Sequence, residues 1–355
     1  MSVEDPLPRH DLQFVHREAA ELWPELKGSR LLITGGTGFF GRWLLESLFF
    51  ADQLEDLGVR VTALSRDPDA FLKKVPHLAI ERLRWVKGSV TTLSSDLFSR
   101  EPFDAVIHLA TEADMEATRA HPSAAVQVIS EGTRRTLLVA AQSGAKRFLF
   151  TSSGAVYGRQ PENMERLSED YPALADPSDF GAIYAIPGYA KRQAEILCME
   201  AAHREGLGAV VARCFSFAGP AMPLDSKFAI GNFIRDGLAG GPVVVTGDGS
   251  PMRSYLYAAD LAVWLWTLLL KGVPSRAYNV GSEHSVTLLE LAKTVSHELG
   301  ASGVSVMGKP VTGRSLDRYV PSTLRIRQEL GLEENFSLPE IIRRTASWYR
   351  PHVKH

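Results

Sequence analysis

The chain reads as an α/β protein: a doubly wound parallel sheet followed by a smaller C-terminal α/β lobe. Three observations predict this. Leu31-Leu32-Ile33-Thr34 is a short apolar run that opens onto Gly35, Gly38 and Gly41, and Arg42–Phe50 then shows helical apolar spacing. Apolar runs go on alternating with helical patterns to Phe150, the signature of a parallel sheet built from crossover units. Ala105-Val106-Ile107-His108-Leu109-Ala110-Thr111 is apolar on both faces, as a central strand covered by helices must be.

The glycine turn carries the first functional signal. Spacing G-x-x-G-x-x-G between a strand and a helix allows backbone conformations and close approaches that a Cβ blocks. The helix N-terminus presents unpaired N–H groups and the positive dipole end, which suit a pyrophosphate. The bland alternative is a glycine-rich turn with no ligand, but the flanking strand, helix and second strand favour a dinucleotide. That second strand, Val59–Leu64, ends in Ser65-Arg66-Asp67. An acid at this place binds a ribose diol, whereas arginine accommodates a 2′-phosphate. Ser65 and Arg66 favour NADP over NAD, and Asp67 is the counter-argument that keeps NAD possible.

Bulk properties exclude several classes. The 355 residues are 45% hydrophobic and 23% charged, with formal net charge −2, so nothing favours nucleic acid or an anionic membrane. The two cysteines, Cys198 and Cys214, fall in apolar patterns and read as reduced core thiols; the ten histidines lack ligand spacing, and no metal is expected. Residues 1–28 show no apolar leader, and Leu261–Leu270 is too short to span a bilayer, so it reads as a buried helix in a cytoplasmic protein.

In chain order, Asp11–Trp23 is expected to form a helix stopped by Pro24, in an N-terminal extension over 1–28. A dinucleotide-binding domain is expected over 29–218. Its third strand is Leu83–Gly88, leading to Ser89 and Val90, and helix 120–142 leads to a strand at Arg147–Phe150. Thr151-Ser152-Ser153 then read as loop, and 159–186, with Pro161, Pro172 and Pro177, reads as the rim of a site. Helix 188–204 carries Lys191 and precedes strand Ala209–Phe215; from Gly219 to 355 strands thin out into a substrate lobe.

With these landmarks the chain resembles the extended short-chain dehydrogenase/reductases, in their nucleotide-sugar epimerase/dehydratase group. The matching pieces are Thr34-Gly35-Gly36-Thr37-Gly38-Phe39-Phe40-Gly41, His108-Leu109-Ala110, Ser152–Gly158, the Lys191 helix, Arg213–Pro220, Gly247–Tyr257 and Tyr278–Ser282. The resemblance implies a Rossmann-type fold, a tightly held nicotinamide cofactor, a nucleotide-diphosphate sugar as substrate, and a homodimer through helices 120–142 and 188–204. It places the cofactor against Gly35, Thr37, Gly38, Phe39, Phe40, Gly41, Ser65, Arg66, Ser89, Val90, Leu109, Ala110, Thr111, Lys191, Cys214 and Phe215. It places the substrate against Glu112, Ser153, Ser216, Lys227, Phe228, Arg253 and Arg318, with Tyr319 closing nearby.

The resemblance also assigns catalysis to Ser153, which bonds the sugar's O4, and to Lys191, which lowers the pKa of a tyrosine one helical turn before it. Here that position is Pro187, which offers no proton. Three readings follow, of which the first is narrowly preferred. Another phenol fills the gap, Tyr184 first, with Tyr157 and Tyr189 behind it. An acid, Glu112 or Asp114, acts as the base. Or the chain binds cofactor and sugar with hydride chemistry lost or weakened. A second departure concerns Ser153-Gly154-Ala155, where glucose-type 4,6-dehydratases of the family carry Thr-Asp-Glu. Without those carboxylates that elimination lacks its acid and base, so 4-epimerisation or 4-ketoreduction is favoured, with a C5-inverting dehydratase as runner-up. Ser254 and Ser216 stand where the family has Asp and, often, Asn.

Overall fold

The computed structural model describes residues 3–98, 101–111, 121–172, 185–225, 228–309 and 317–350. They form two compact units, one of Met1–Gly158, Pro172–Cys214 and Ala262–Tyr278, the other of Arg159–Tyr171, Phe215–Leu261 and Asn279–His355.

The first unit is built on α1 (Arg9–Glu18), β1 (Arg30–Thr34), α2 (Phe39–Glu55), β2 (Arg60–Ser65), α3 (Pro68–Lys74), β3 (Leu83–Lys87), β4 (Ala105–His108), α4 (Pro122–Ser143), β5 (Arg147–Ser153), α5 (Ala185–Glu205) and β6 (Gly208–Cys214). Helix α6 (Ala258–Lys271), from Ala262 on, and strand β7 (Arg276–Val280), as far as Tyr278, complete it. The seven strands lie in the order β7-β6-β5-β4-β1-β2-β3, and the pairings from β3 to β6 are parallel. This is the doubly wound sheet the sequence predicts. Chain order reverses at β1, which has β2 on one side and β4 on the other; ligands bind beyond the carboxyl ends of strands at such a point. Every residue of β4 and β6 is buried, which is why both read as continuous apolar runs.

Local differences from the sequence reading have physical causes. Strand β5 continues through Ser153 because Thr151, Ser152 and Ser153 pair with Ala212, Arg213 and Cys214; hydroxyl residues at a strand end look like loop until a long neighbour holds them. Strand β4 stops at His108, although the Leu109 N–H still donates to the Thr34 carbonyl at 3.1 Å. Helix α1 ends at Glu18, and Pro24 lies inside a 3₁₀ turn, Trp23–Leu26, whose first turn tolerates its missing N–H. The buried Trp23 ring packs edge-on at 6.0 Å from Trp266, whose Nε1 donates to Ser47 Oγ of α2 at 3.1 Å. The extension is thereby fastened to α2. Helix α6 is buried along Ala258–Leu270, and among the described residues no helix is long and apolar enough to cross a membrane.

The second unit is richer in strands than the sequence suggests. Phe217–Ala218 pairs with Leu256–Tyr257, Met252–Ser254 lies between Ser285–Thr287 and Arg318–Tyr319, and Val243–Val245 pairs with Val304–Val306. Strands of two or three residues are too short to show alternation. Helices Ala229–Leu238, Leu288–Leu299, Leu324–Leu330 and Leu338–Tyr349 complete the unit, and Thr287 with Glu290 forms a capping box on the second.

Candidate active site

The glycine turn connects β1 to α2. Gly35 has φ +74°, and a Cβ on it would lie 2.8 Å from the Ala110 nitrogen. A Cβ on Gly41 would lie 2.5 Å from the Gly35 carbonyl oxygen and 2.6 Å from Gly36 Cα. Gly38 instead serves as the N-cap of α2, with extended backbone. The helix therefore starts at Phe39, inside the glycine motif and earlier than Arg42, because Gly41 lets its first turn lie on the loop. Phe39 and Phe40, half-buried, begin that turn with rings 5.9 Å apart. A cradle that any Cβ would fill, at a helix N-terminus beside the strand switch point, fits a dinucleotide pyrophosphate.

The flanking predicted residues converge on the same carboxyl edge. Ser65 Oγ, buried at the end of β2, lies 3.2 Å from Thr37 Oγ1 and accepts from the Asp67 N–H at 3.3 Å. Asp67 Oδ1 accepts from the Ala70 N–H at 3.1 Å, so this acid caps α3, while Arg66 is exposed. Ser89 caps the short turn of Val90, and a Cβ on Gly132 of α4 would meet Val90 at 2.7 Å. Leu109 is buried, Ala110 half-buried and Thr111 exposed. Cys214 ends β6.

Lys191 sits in α5 at 5% exposure, with Nζ donating to the Thr151 carbonyl at 2.8 Å and lying 4.8 Å over the Phe150 ring. Burial lowers its pKa from 10.5 to about 8, against the opposing influence of Cys214, Cys198 and Glu195. Both thiols are free and buried, and burial pushes Cys214 up to about 12. Ser153, half-buried at the end of β5, accepts from the Ala155 N–H at 3.1 Å, which leaves the hydroxyl proton to donate.

Pro187 is the third residue of α5, two places after the helix begins at Ala185. The first turn there lies hard against the turn after β5: a Cβ on Gly188 would be 2.4 Å from the Ala155 carbonyl oxygen. Tyr184, Glu112, Asp114 and Lys227 lie outside the described residues. Of the other phenols, Tyr189 is 37% exposed, and Tyr157 is buried with its oxygen accepting from Arg213 Nη1 at 2.8 Å.

That arginine belongs to a network the sequence reading missed. Arg213 Nε and Nη2 donate to Glu195 Oε1 and Oε2 at 3.0 and 2.8 Å, and Ser152 Oγ donates to Oε1 at 2.6 Å. Both charges are nearly fully buried. Burial alone would lower the guanidinium's pKa, but Glu195 and Tyr157 outweigh it and raise the value. The signal was there: a lone arginine in an otherwise apolar buried strand needs a partner, and Glu195 lies one turn after Lys191 on the same helix face.

In the second unit Arg253 donates to Asp317 Oδ2 at 2.8 Å and to the Asp317 carbonyl at 3.0 Å. Asp317, just before the strand Arg318–Tyr319, thus supports the arginine where the sequence at Ser254 suggested lost support; no local signal links residues this far apart. Arg318 donates to the Met164 carbonyl at 3.0 Å, and Tyr319 packs 4.6 Å from the Phe215 ring, whose N–H donates to Val280. Phe228 is 48% exposed beside the helix it caps, and Ser216 is half-buried. Among the described residues no cluster of His, Cys, Asp or Glu could hold a metal.

Sheet order, glycine cradle and buried lysine together define a dinucleotide-binding Rossmann protein of the dehydrogenase/reductase type. Residues 31–281 match the NAD dependent epimerase/dehydratase family, and the chain belongs to that family, among the extended short-chain dehydrogenase/reductases. It is 28% identical to UDP-glucuronic acid decarboxylase 1 of Arabidopsis thaliana over 92% of this chain and 71% of that protein. It is 27% identical to dTDP-glucose 4,6-dehydratase of Streptomyces niveus over 90% of this chain and 93% of that one. The solved dTDP-glucose 4,6-dehydratase of Streptomyces venezuelae, crystallised with NAD, superposes with a TM-score of 0.75 at 27% identity, over 91% of this chain and 97% of that one. The fold is shared also with UDP-glucose 4-epimerase of Thermotoga maritima, at TM-score 0.76 and 22% identity over 92% and 100% of the two chains.

Proposed function

We propose that the chain is a nicotinamide-dependent enzyme acting on a nucleotide-diphosphate hexose, with transient oxidation at C4 leading to epimerisation or reduction. The observation that carries the reading is Lys191, held at the carboxyl edge beside β5, with Ser153 at the end of that strand. When bound, the cofactor supplies the hydride chemistry. The glycine turn holds its pyrophosphate, and Ser89, Val90, Leu109, Ala110, Thr111, Cys214 and Phe215 border its path. Lys191 bonds the nicotinamide ribose, and Ser153 donates to the substrate's O4. Arg253, braced by Asp317, grips the diphosphate, and Ser216, Phe228 and Arg318 bind the rest of the sugar nucleotide; the family resemblance assigns Lys227 and Glu112 to substrate binding as well. Tyr184 serves as the displaced phenol. The cofactor is NADP, because Asp67 is committed to capping α3 while Arg66 remains at the tip of β2; NAD is the alternative, favoured by the bound cofactor of the Streptomyces venezuelae relative. The protein works in the cytoplasm as a homodimer through α4 and α5.

Ser153-Gly154-Ala155 offers no carboxylates for water loss, which argues against a glucose-type dehydratase. The C5-inverting dehydratase remains the runner-up in reaction type. Pro187 favours a second reading, a protein that binds cofactor and sugar nucleotide without turning them over. Incubation with a panel of UDP-, GDP-, CDP- and dTDP-sugars, following products and reduced-nicotinamide absorbance, separates the readings: turnover supports the enzyme, and binding of both ligands without product across the panel supports the second.

A further inference from the structure

His108 ends β4 with no exposed surface. Its Nδ1 lies 2.6 Å from Thr34 Oγ1 and its Nε2 lies 3.1 Å from Thr133 Oγ1. The direction of both bonds follows from what the hydroxyls do elsewhere. Thr133 gives its one proton to the Ile129 carbonyl at 2.7 Å, so towards His108 its oxygen accepts, and Nε2 carries the hydrogen. Thr136 gives its proton to the Gly132 carbonyl at 2.7 Å, so its 3.5 Å approach to Nδ1 supplies no donor. A neutral imidazole has a single N–H; with that hydrogen on Nε2, Nδ1 accepts and Thr34 donates. Burial, aided by the charge of Lys191, lowers the ring's pKa to about 3 and keeps it neutral. With its proton directed at His108, the Thr34 oxygen turns its lone pairs to the Ala110 N–H at 3.3 Å.

We propose that His108, as its Nε2–H tautomer, is a positioning residue for the dinucleotide turn: it aims the Thr34 hydroxyl so that the turn and the exit of β4 keep a fixed spacing. The spacing matters because Gly35 approaches the Ala110 backbone more closely than any Cβ allows. The same residue reaches the lysine. The His108 carbonyl accepts from Thr151 Oγ1 at 3.2 Å, and the Thr151 carbonyl accepts from Lys191 Nζ at 2.8 Å. One hydrogen-bonded chain thus joins the ends of β1, β4 and β5 to Lys191. The role rests on the nicotinamide-cofactor reading.

The test has two parts. Nitrogen-15 NMR of histidine-labelled protein reads the tautomer directly; Nε2–H at His108 is expected, and Nδ1–H would overturn the proposal. Calorimetric titration with NAD⁺ and NADP⁺ reads the consequence. Thr34→Val keeps the shape but removes the donor, and is expected to weaken dinucleotide binding about tenfold, with Thr34→Ser restoring it. Unchanged binding by Thr34→Val overturns the positioning role alone. A wild-type protein that binds neither dinucleotide overturns the cofactor reading itself, and the role with it.

Discussion

Lys191 Nζ donates to the carbonyl oxygen of Thr151 at 2.8 Å and lies over the Phe150 ring, so the cation of α5 is anchored to β5. A buried ammonium held by a neutral carbonyl and a ring face is biased toward neutrality by burial, and this bias is measurable.

Between pH 8 and 10.5 the folded protein holds fewer protons on Lys191 than the unfolded chain, because burial sets the folded pKa near 8. Stability from this group therefore rises with pH through that window. Lys191→Met removes the effect. From pH 7 to pH 10 the unfolding free energy of wild type should gain about 2–3 kcal/mol on the variant, as read by urea titration at each pH. A difference that stays flat with pH contradicts the buried-cation account.

The Arg213–Glu195 pair makes the opposite prediction about charge. Glu195→Met leaves a guanidinium buried without its anion and should cost about 3–5 kcal/mol. The double variant Glu195→Met with Arg213→Met should cost less than the single one, since no buried charge is left uncompensated; Arg192, which also donates to Glu195 Oε2 at 2.9 Å, is partly solvent-exposed. Denaturant unfolding of the cycle checks this, and additive losses would contradict it.

Gly41→Ala forces a Cβ to within 2.5 Å of the Gly35 carbonyl oxygen, so the turn must open. We expect loss of about 1–3 kcal/mol and of dinucleotide binding. Gly241→Ala, with no atom within 4 Å of the new Cβ, should change neither. Thermal unfolding and calorimetry on the two variants compare them.

At the tip of β2, Arg66→Ala should weaken NADP⁺ binding by about tenfold or more and leave NAD⁺ binding nearly unchanged, the loss expected for one charge-assisted phosphate contact. Equal effects on the two dinucleotides would remove the argument for NADP.

The gap at Pro187 is testable from both sides. If Tyr184 is the displaced phenol, Tyr184→Phe should abolish turnover while sugar-nucleotide and dinucleotide affinities persist. If chemistry has been lost, Pro187→Tyr should create turnover where wild type has none. Product analysis by chromatography reads each.

Much of this was legible in the chain because the decisive signals are local. Leu31–Gly41 encodes strand, turn and helix in one stretch, and the two-sided apolar strand at Ala105 marks the centre of the sheet. What escaped was long-range or too short. Ser152 and Ser153 look like loop residues until β6 pairs with them. Asp317, beside the strand that pairs with Met252–Ser254, meets Arg253 through a contact that no spacing rule reveals. The direction of the His108 bonds depended on the other partners of Thr133 and Thr136, which only folded coordinates supply. The strands of the second unit are too brief to leave a period in the sequence.

The most direct measurement is mass spectrometry of the small molecules released when the purified protein, first incubated with NAD⁺ and NADP⁺ and then desalted, is denatured. The account predicts a nicotinamide dinucleotide recovered near one per chain. Recovery of neither dinucleotide from folded protein would contradict it.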